Sequence, residues 1–346
     1  MQEVAETLQA QAGGAGSAVI GRVTDVKGFS TLPVDELVAL YRDGSQQGEL
    51  LGRPGAEKLR AAAAEMFRPG AGGLRTVAIE IHGKEVEEIG LACGGRAEVL
   101  LQPVDAIPAQ LWQLLASRAP AALLTRIEGP GTGTPAMVLD RSGRSWGELA
   151  GRPPTAELRQ EVVALLASGR SSQRRVEDGD GVVLIDAWVP APRLVVVGTG
   201  DVVEAIAAQA GLLGWESKAT DGVDEVTGLL DWAGATAALI VLSHDPHVDA
   251  PTLAAGLARH TPYIGAMGSR STQSRRADRL LADGVSAEDL ARIHRPIGLD
   301  LGGRRAPEVA LAIAAEILAC HCGRDGRPLK DTSGPIHNRS GVLASS

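Results

Sequence analysis

The run Leu-Val-Val-Val-Gly-Thr-Gly-Asp-Val-Val, residues 194–203, constrains the fold of this chain more than any other stretch. An apolar strand-like run turns through Gly198-x-Gly200 into a helical stretch, and a second strand-like run then ends at Asp221. This is the layout of a dinucleotide-binding βαβ crossover. Its first glycine permits the turn, its second lets a phosphate approach the N–H groups at a helix N-terminus, and an acidic residue about twenty positions on accepts from a ribose hydroxyl. Two residues depart from it. The third glycine is Val203, which limits close helix–strand packing, and Asp201 sets a carboxylate at the mouth of an anion site.

The rhythm around this crossover predicts the architecture. From residue 194 onward, apolar runs (LVVVG, ESKATD, AALIVLS, TPYIGAMG) alternate with helical stretches near 202–213, 250–260 and 272–282. Such alternation implies parallel strands covered by helices, a Rossmann-like domain. Ser286 stands as the N-cap of a further helix, and Pro307 opens a last one. Residues before Pro190 and Pro192 read instead as a mixed α/β domain. Its strands are expected at 18–26, 74–83, 97–103 and in AALLTRIEG, AMVLD and GVVLIDAW. Its helices are expected at 34–44, 56–67, 108–117 and 155–168, and no internal repeat is apparent. The fold class is therefore α/β: a mixed α/β N-terminal domain, 1–190, followed by a Rossmann-like parallel-sheet domain, 191–346.

Composition narrows the partners. With 34 Lys and Arg against 42 Asp and Glu, the net charge of −8 argues against nucleic acid. Three cysteines, Cys93, Cys320 and Cys322, fit a reducing compartment better than a disulfide scaffold. No apolar run is long enough to span a membrane and no leader opens the chain, so a cytoplasmic protein is expected.

In an open parallel sheet, ligands sit beyond the C-terminal ends of the strands. The loop SHDPHVD, 243–249, falls there and gathers His244, Asp245, His247 and Asp249. It reads either as a metal-binding or proton-relay cluster or as a polar loop whose aspartates cap backbone amides. Gly268, Ser269 and Arg270, after the next strand, suit an amide-rich anion nest with a guanidinium fork, whereas Arg275 and Arg276 read as a solvated helix face. Cys93, followed by Gly94 and Gly95 in a glycine-rich turn, is either an accessible thiol for a soft metal or a small buried residue. Cys320-His321-Cys322 resembles part of a zinc site without a second pair and is taken as a tail feature.

Taken together, CGG at 93–95, HDPHVDAPTL at 244–253, YIGAMGSRSTQSRR at 263–276 and the segment 292–319 resemble the XdhC/CoxI family, accessory proteins of molybdenum hydroxylases such as xanthine dehydrogenase and aerobic carbon monoxide dehydrogenase. The family's CGG cysteine corresponds to Cys93, its GSR element to Gly268-Ser269-Arg270, its PIGL to Pro296–Leu299 and its Pro-Glu helix start to Pro307-Glu308. The family's Gly-Ser-x-Pro-Arg element is replaced by Gly28-Phe29-Ser30-Thr31-Leu32-Pro33, without arginine. Its Gly-Gly-Cys stretch is replaced by GELLGRPGAE at 48–57, without cysteine, and its histidine after Gly-x-Gly by Asp201.

The resemblance implies a chaperone rather than a catalyst. It would bind molybdenum cofactor transiently, protect it during sulfuration and deliver it to an apo-molybdenum hydroxylase, with Cys93 and the Rossmann-like domain both contributing. It leaves a cysteine desulfurase and a second copy of the chain as candidate partners. Two other readings stay open: a partner-binding protein that has lost its ligand, and an NAD(P)-dependent oxidoreductase built on Gly198, Gly200 and Asp221.

Overall fold

The computed structural model describes residues 1–10, 18–27, 36–71, 73–81, 95–133, 135–179, 181–243 and 245–332. Two compact units emerge. One holds Met1–Leu166 and Arg170–Val189; the other holds Ala167–Gly169 and the chain from Pro190.

The first unit is built twice over, which corrects the expectation of no internal repeat. Its first half runs α1 (Gln2–Ala10), β1 (Ala18–Lys27), β2 (Val38–Tyr41), β3 (Gln46–Gln47), α2 (Gly52–Met66), β4 (Arg75–Ile81) and β5 (Gly95–Pro103). The second half repeats that order as α3 (Gln110–Ala116), β6 (Ala121–Glu128), β7 (Met137–Asp140), β8 (Ser145–Gly147), α4 (Ala156–Ala167), β9 (Ser172–Asp178) and β10 (Gly181–Trp188). The sheets share one strand order, β3-β2-β1-β5-β4 and β8-β7-β6-β10-β9. Aligning 38–67 with 137–166 without a gap gives 11 identities in 30 positions, six of them in the shared Gly-Glu-Leu-x-Gly-Arg-Pro. Leu51 and Ala150, both left-handed with φ 60° and 50°, fall on counterpart positions of this alignment. The backbone kept the repeat after most side chains diverged.

Residues 36–44, expected to be helical, instead contribute β2. Ala39 and Leu40 are buried, and the strand pairs antiparallel with β1 from Ala18↔Tyr41 to Gly21↔Val38. Gly44, with φ 84°, then turns the chain into β3. Helix-forming residues yield here to pairing and burial, which outweigh propensities of under 1 kcal/mol per residue. The strands β3, β8 and β9 and their pairings were not anticipated either.

Where the halves meet, a polar network lies buried. Ala18 pairs with Tyr41 as Ala121 pairs with Asp140, so Arg22 and Thr125 are counterparts. Ile20 pairs with Gln102 as Leu123 pairs with Asp186, so Gln102 and Asp186 are counterparts too. These four side chains join. Arg22 forms an ion pair with Asp186 and donates to Gln102 Oε1 at 2.6 Å and Thr125 Oγ1 at 3.2 Å. Gln173 Nε2 donates to the other Asp186 oxygen at 2.6 Å. Burial pushes the Asp186 carboxyl up, against the pull of the Arg22 charge, and pushes the guanidinium of Arg22 down. The same two fold positions thus hold Arg22 and Gln102 in one half and Thr125 and Asp186 in the other.

The duplicated turn supplies a test. Gly48 and Gly147 have φ 80° and 81°, and a Cβ on Gly147 would meet Ala136 O at 2.5 Å and Pro108 Cγ at 2.8 Å. A Cβ on Gly48 would collide in the same way with the counterpart carbonyl, Leu37 O. Gly147→Ala is expected to cost about 1–3 kcal/mol in urea denaturation, since it adds left-handed strain to a contact with backbone. A neutral effect would contradict the geometry.

The second unit is a single parallel sheet. It comprises β11 (Arg193–Val197), α5 (Asp201–Leu212), β12 (Glu216–Thr220), α6 (Val223–Ala233), β13 (Ala237–Val241), α7 (Pro246–Ala258), β14 (Tyr263–Ala266), α8 (Arg270–Ala282), α9 (Ala287–Ala291), β15 (Ile293–His294) and α10 (Ala306–His321). The strand order is β12-β11-β13-β14-β15, all parallel. Alternate residues of each strand face opposite layers. Val195, Val197, Leu239 and Val241 pack with α6, α7 and α8, and Leu194, Val196, Ala238 and Ile240 pack with α5 and α10. The helix α6 was not anticipated; the expected Rossmann-like parallel sheet is present. Among the described residues, no helix is long and apolar enough to cross a membrane.

Candidate functional site at the sheet edge

The strand order fixes where a ligand can enter. From β11 the chain leaves through α5 on one face, and from β13 it leaves through α7 on the other, so the two strand ends diverge. Such a switch point opens a crevice beyond the C-terminal ends of the strands. Gly198 and Gly200 follow β11, Asp221 follows β12, Asp245 follows β13, and Gly268, Ser269 and Arg270 follow β14. The strand ends are tied together by backbone bonds, Gly198 N to Thr220 O at 2.9 Å, Leu242 N to Val197 O at 2.8 Å and Met267 N to Val241 O at 2.8 Å.

Gly198, Gly200, Asp221, Asp245, Gly268, Ser269 and Arg270 each have a definable place in this edge. Gly198 and Gly200 take φ 144° and 95°, and a Cβ on Gly200 would meet nothing within 4 Å. The α5 N-terminus carries no side-chain cap, so bare backbone faces open space there. Asp201 and Glu204 occupy its first turn, where they favour the helix dipole and repel an incoming anion. Asp221 is exposed.

Two of the polar candidates serve as caps. Asp245 accepts from His247 N at 2.8 Å and starts α7; Ser269 accepts from Thr272 N at 3.2 Å and starts α8. Ser269 thereby satisfies one of the amides that a helix start leaves unpaired. Arg270, exposed at the first position of α8, has no such structural duty. The His/Asp cluster does not assemble within the described residues: Asp249 is buried in α7 away from the exposed Asp245 and His247, and no three His, Cys, Asp or Glu side chains come together to hold a metal. Cys93, Gly94 and His244 lie outside the described residues, while Gly95 opens β5 opposite Ile81.

Arg276 overturns the solvated-face expectation for this part of α8, although Arg275 is exposed as expected. Arg276 forms a buried ion pair with Asp249, both side chains 5% exposed. It also donates to Met267 O at 3.0 Å and Gln273 Oε1 at 2.8 Å, with Ser243 O at 3.4 Å. Gln273 Nε2 in turn donates to Ala266 O at 2.9 Å. One guanidinium thus holds the segments after β13 and β14 to α7 and α8. The spacing of 27 residues between Asp249 and Arg276 gave no sequence signal of this pairing.

The fold and this edge define a Rossmann-type domain whose strand-to-helix turn keeps two glycines in backbone and is acidic in side chains. Residues 194–317, within the second unit, match the family model described as the XdhC Rossmann domain. Two curated relatives come from Escherichia coli K12. The uncharacterized protein YqeB is 29% identical over 179 residues, 46% of this chain and 33% of its own length. The molybdenum cofactor insertion chaperone PaoD is 31% identical over 134 residues, 37% of this chain and 40% of its own. The chain therefore spans between a third and two-fifths of these relatives. A solved structure described as a xanthine dehydrogenase from Bacillus halodurans aligns over 94% of this chain and 96% of that one, at 19% identity and a TM-score of 0.46.

Proposed function

We propose that this protein binds molybdenum cofactor at the C-terminal edge of its parallel sheet, supports its sulfuration and hands it to an apo-molybdenum hydroxylase. What supports the reading is the match of residues 194–317 to the XdhC Rossmann domain, together with a sheet edge that is chemically two-ended. At one end Gly268, with φ 139°, and the exposed Arg270 offer a glycine turn and a guanidinium, which suit the cofactor's phosphate. At the other, the exposed carboxylates of Asp201, Asp221 and Asp245 offer acceptors, which suit the N–H groups of a pterin and oppose a second phosphate. The similarity to PaoD supports the same cargo. A cysteine desulfurase and a second copy of the chain complete the proposed partners, and the proposed setting is the cytoplasm.

The two-ended edge makes opposite demands on two substitutions. Arg270→Ala is expected to weaken cofactor binding by about 1–3 kcal/mol, the cost of one charge-assisted bond, in anaerobic calorimetry. Asp201→His should leave binding unchanged or tighten it. If Asp201→His tightened binding markedly while Arg270→Ala did nothing, the phosphate would sit at the Gly198–Gly200 turn instead.

A further inference from the structure

Away from the ligand edge, the last turn of α10 brings a thiol beside a histidine held by a carboxylate. Glu316 Oε2 accepts from Tyr263 Oη at 2.6 Å and from Gly298 N at 2.8 Å, and Glu316 Oε1 lies 3.2 Å from His294 Nδ1. Burial alone would raise the Glu316 carboxyl, but the bonds from His294, Tyr263 and Gly298 outweigh it and hold the group below its usual range. An ionised carboxylate only accepts, so His294 Nδ1 carries the hydrogen. Nε2 then presents its lone pair to Cys320 Sγ, 3.9 Å away. The Tyr263 ring stacks on the imidazole, centroids 4.6 Å apart, and fixes its plane. Nucleophile, base and orienting carboxylate stand in the order that activates a nucleophile elsewhere.

We propose that Cys320 is a thiol-exchange site that takes small uncharged or cationic disulfides, with His294 as its base and Glu316 as the positioning residue. In the reaction the Cys320 proton passes to His294 Nε2 and the thiolate attacks one sulfur of the disulfide. The S–S bond breaks, a mixed disulfide forms on Cys320, and the departing thiolate takes the proton back from His294. Burial and the neighbouring Glu316 charge push the Cys320 thiol up. A high-pKa thiolate is the stronger nucleophile once formed and the poorer leaving group afterwards, so a local base is needed and the adduct persists. The Glu316 charge also sets the class of partner, since it repels an anionic disulfide. Cys322, two residues on and likewise part-exposed, lacks this arrangement among the described contacts and serves as the internal reference.

The test uses the full chain, reduced and then treated with cystamine or with the anionic dithiodiglycolate, each cysteine being followed by peptide mass spectrometry. Cys320 is expected to react with cystamine at least about tenfold faster than Cys322, and His294→Gln to slow Cys320 on the order of a hundredfold while sparing Cys322. Glu316→Gln should erase the preference for cystamine over dithiodiglycolate at Cys320, a readout that a purely structural role would not move. Equal rates at the two cysteines in the unaltered chain would overturn the proposal, as would a loss of less than about tenfold in His294→Gln or a charge preference that survives Glu316→Gln.

Discussion

Arg276→Ala is expected to destabilise the second unit by about 3–5 kcal/mol, read from hydrogen exchange of the β13 and β14 amides. The size follows from what alanine leaves behind. Asp249 would remain buried as an uncompensated charge, and the carbonyls of Met267 and Ser243 would lose their donor. Breaking a buried pair from one side costs far more than the pair contributes as a whole. Arg276→Lys should recover only part of the loss, because an ammonium cannot reproduce a planar fork that reaches a carboxylate and two backbone carbonyls at once. The same variant should weaken any ligand held by Gly268–Arg270, since Arg276 fixes the segment from which that loop leaves β14. A change below about 1 kcal/mol would show that Asp249 finds another partner or protonates without consequence.

The second large effect belongs to the first unit. Arg22→Ala should cost about 3–5 kcal/mol in the opening of β1 and β10, for it strips Asp186 of its cation at the meeting of the two halves. Gln173 would still donate to Asp186, which sets the loss nearer the lower figure than a bare charge would. The duplication adds a sharper expectation. Replacing the pair together, Arg22→Met with Asp186→Leu, should restore most of the stability, because apolar side chains of similar volume remove both desolvation penalties. A double variant as unstable as the single one would mean that Thr125 and Gln102 depend on the charges for their own hydrogen bonds.

These two arginines also mark the limit of what the residues disclose by themselves. The parallel sheet was legible because Leu194–Val197 and Ala237–Val241 are unbroken apolar runs, and only a strand buried on both faces needs such a run. The sites of Gly198, Gly200 and Gly268 were legible too, since a turn at a strand end demands them. Arg276 was not: a lone arginine at helical spacing looks solvated until Asp249 is brought to it from another helix. Val38–Tyr41 was misread because four residues carry too little period to separate strand from helix. The duplication is legible in the shared Gly-Glu-Leu-x-Gly-Arg-Pro of 48–54 and 147–153, a signal the reading of the sequence passed over. Its buried counterparts are not, because they differ in kind, arginine against threonine and glutamine against aspartate, and only the pairing register reveals them. Apart from CGG at 93–95, the resemblance to the XdhC/CoxI family was carried by local motifs in the second unit, where the family match also falls.

Molybdenum cofactor is proposed to sit at the second unit's edge. The most direct test is to mix the chain anaerobically with the cofactor, separate protein from free ligand, and measure oxidised-pterin fluorescence in the protein peak. Near-equimolar pterin, reduced by Arg270→Ala, is the result expected. A peak without pterin, from a chain that binds NAD at micromolar concentration and loses it on Asp221→Ala but not on Arg270→Ala, would contradict the carrier and make the domain a nicotinamide site.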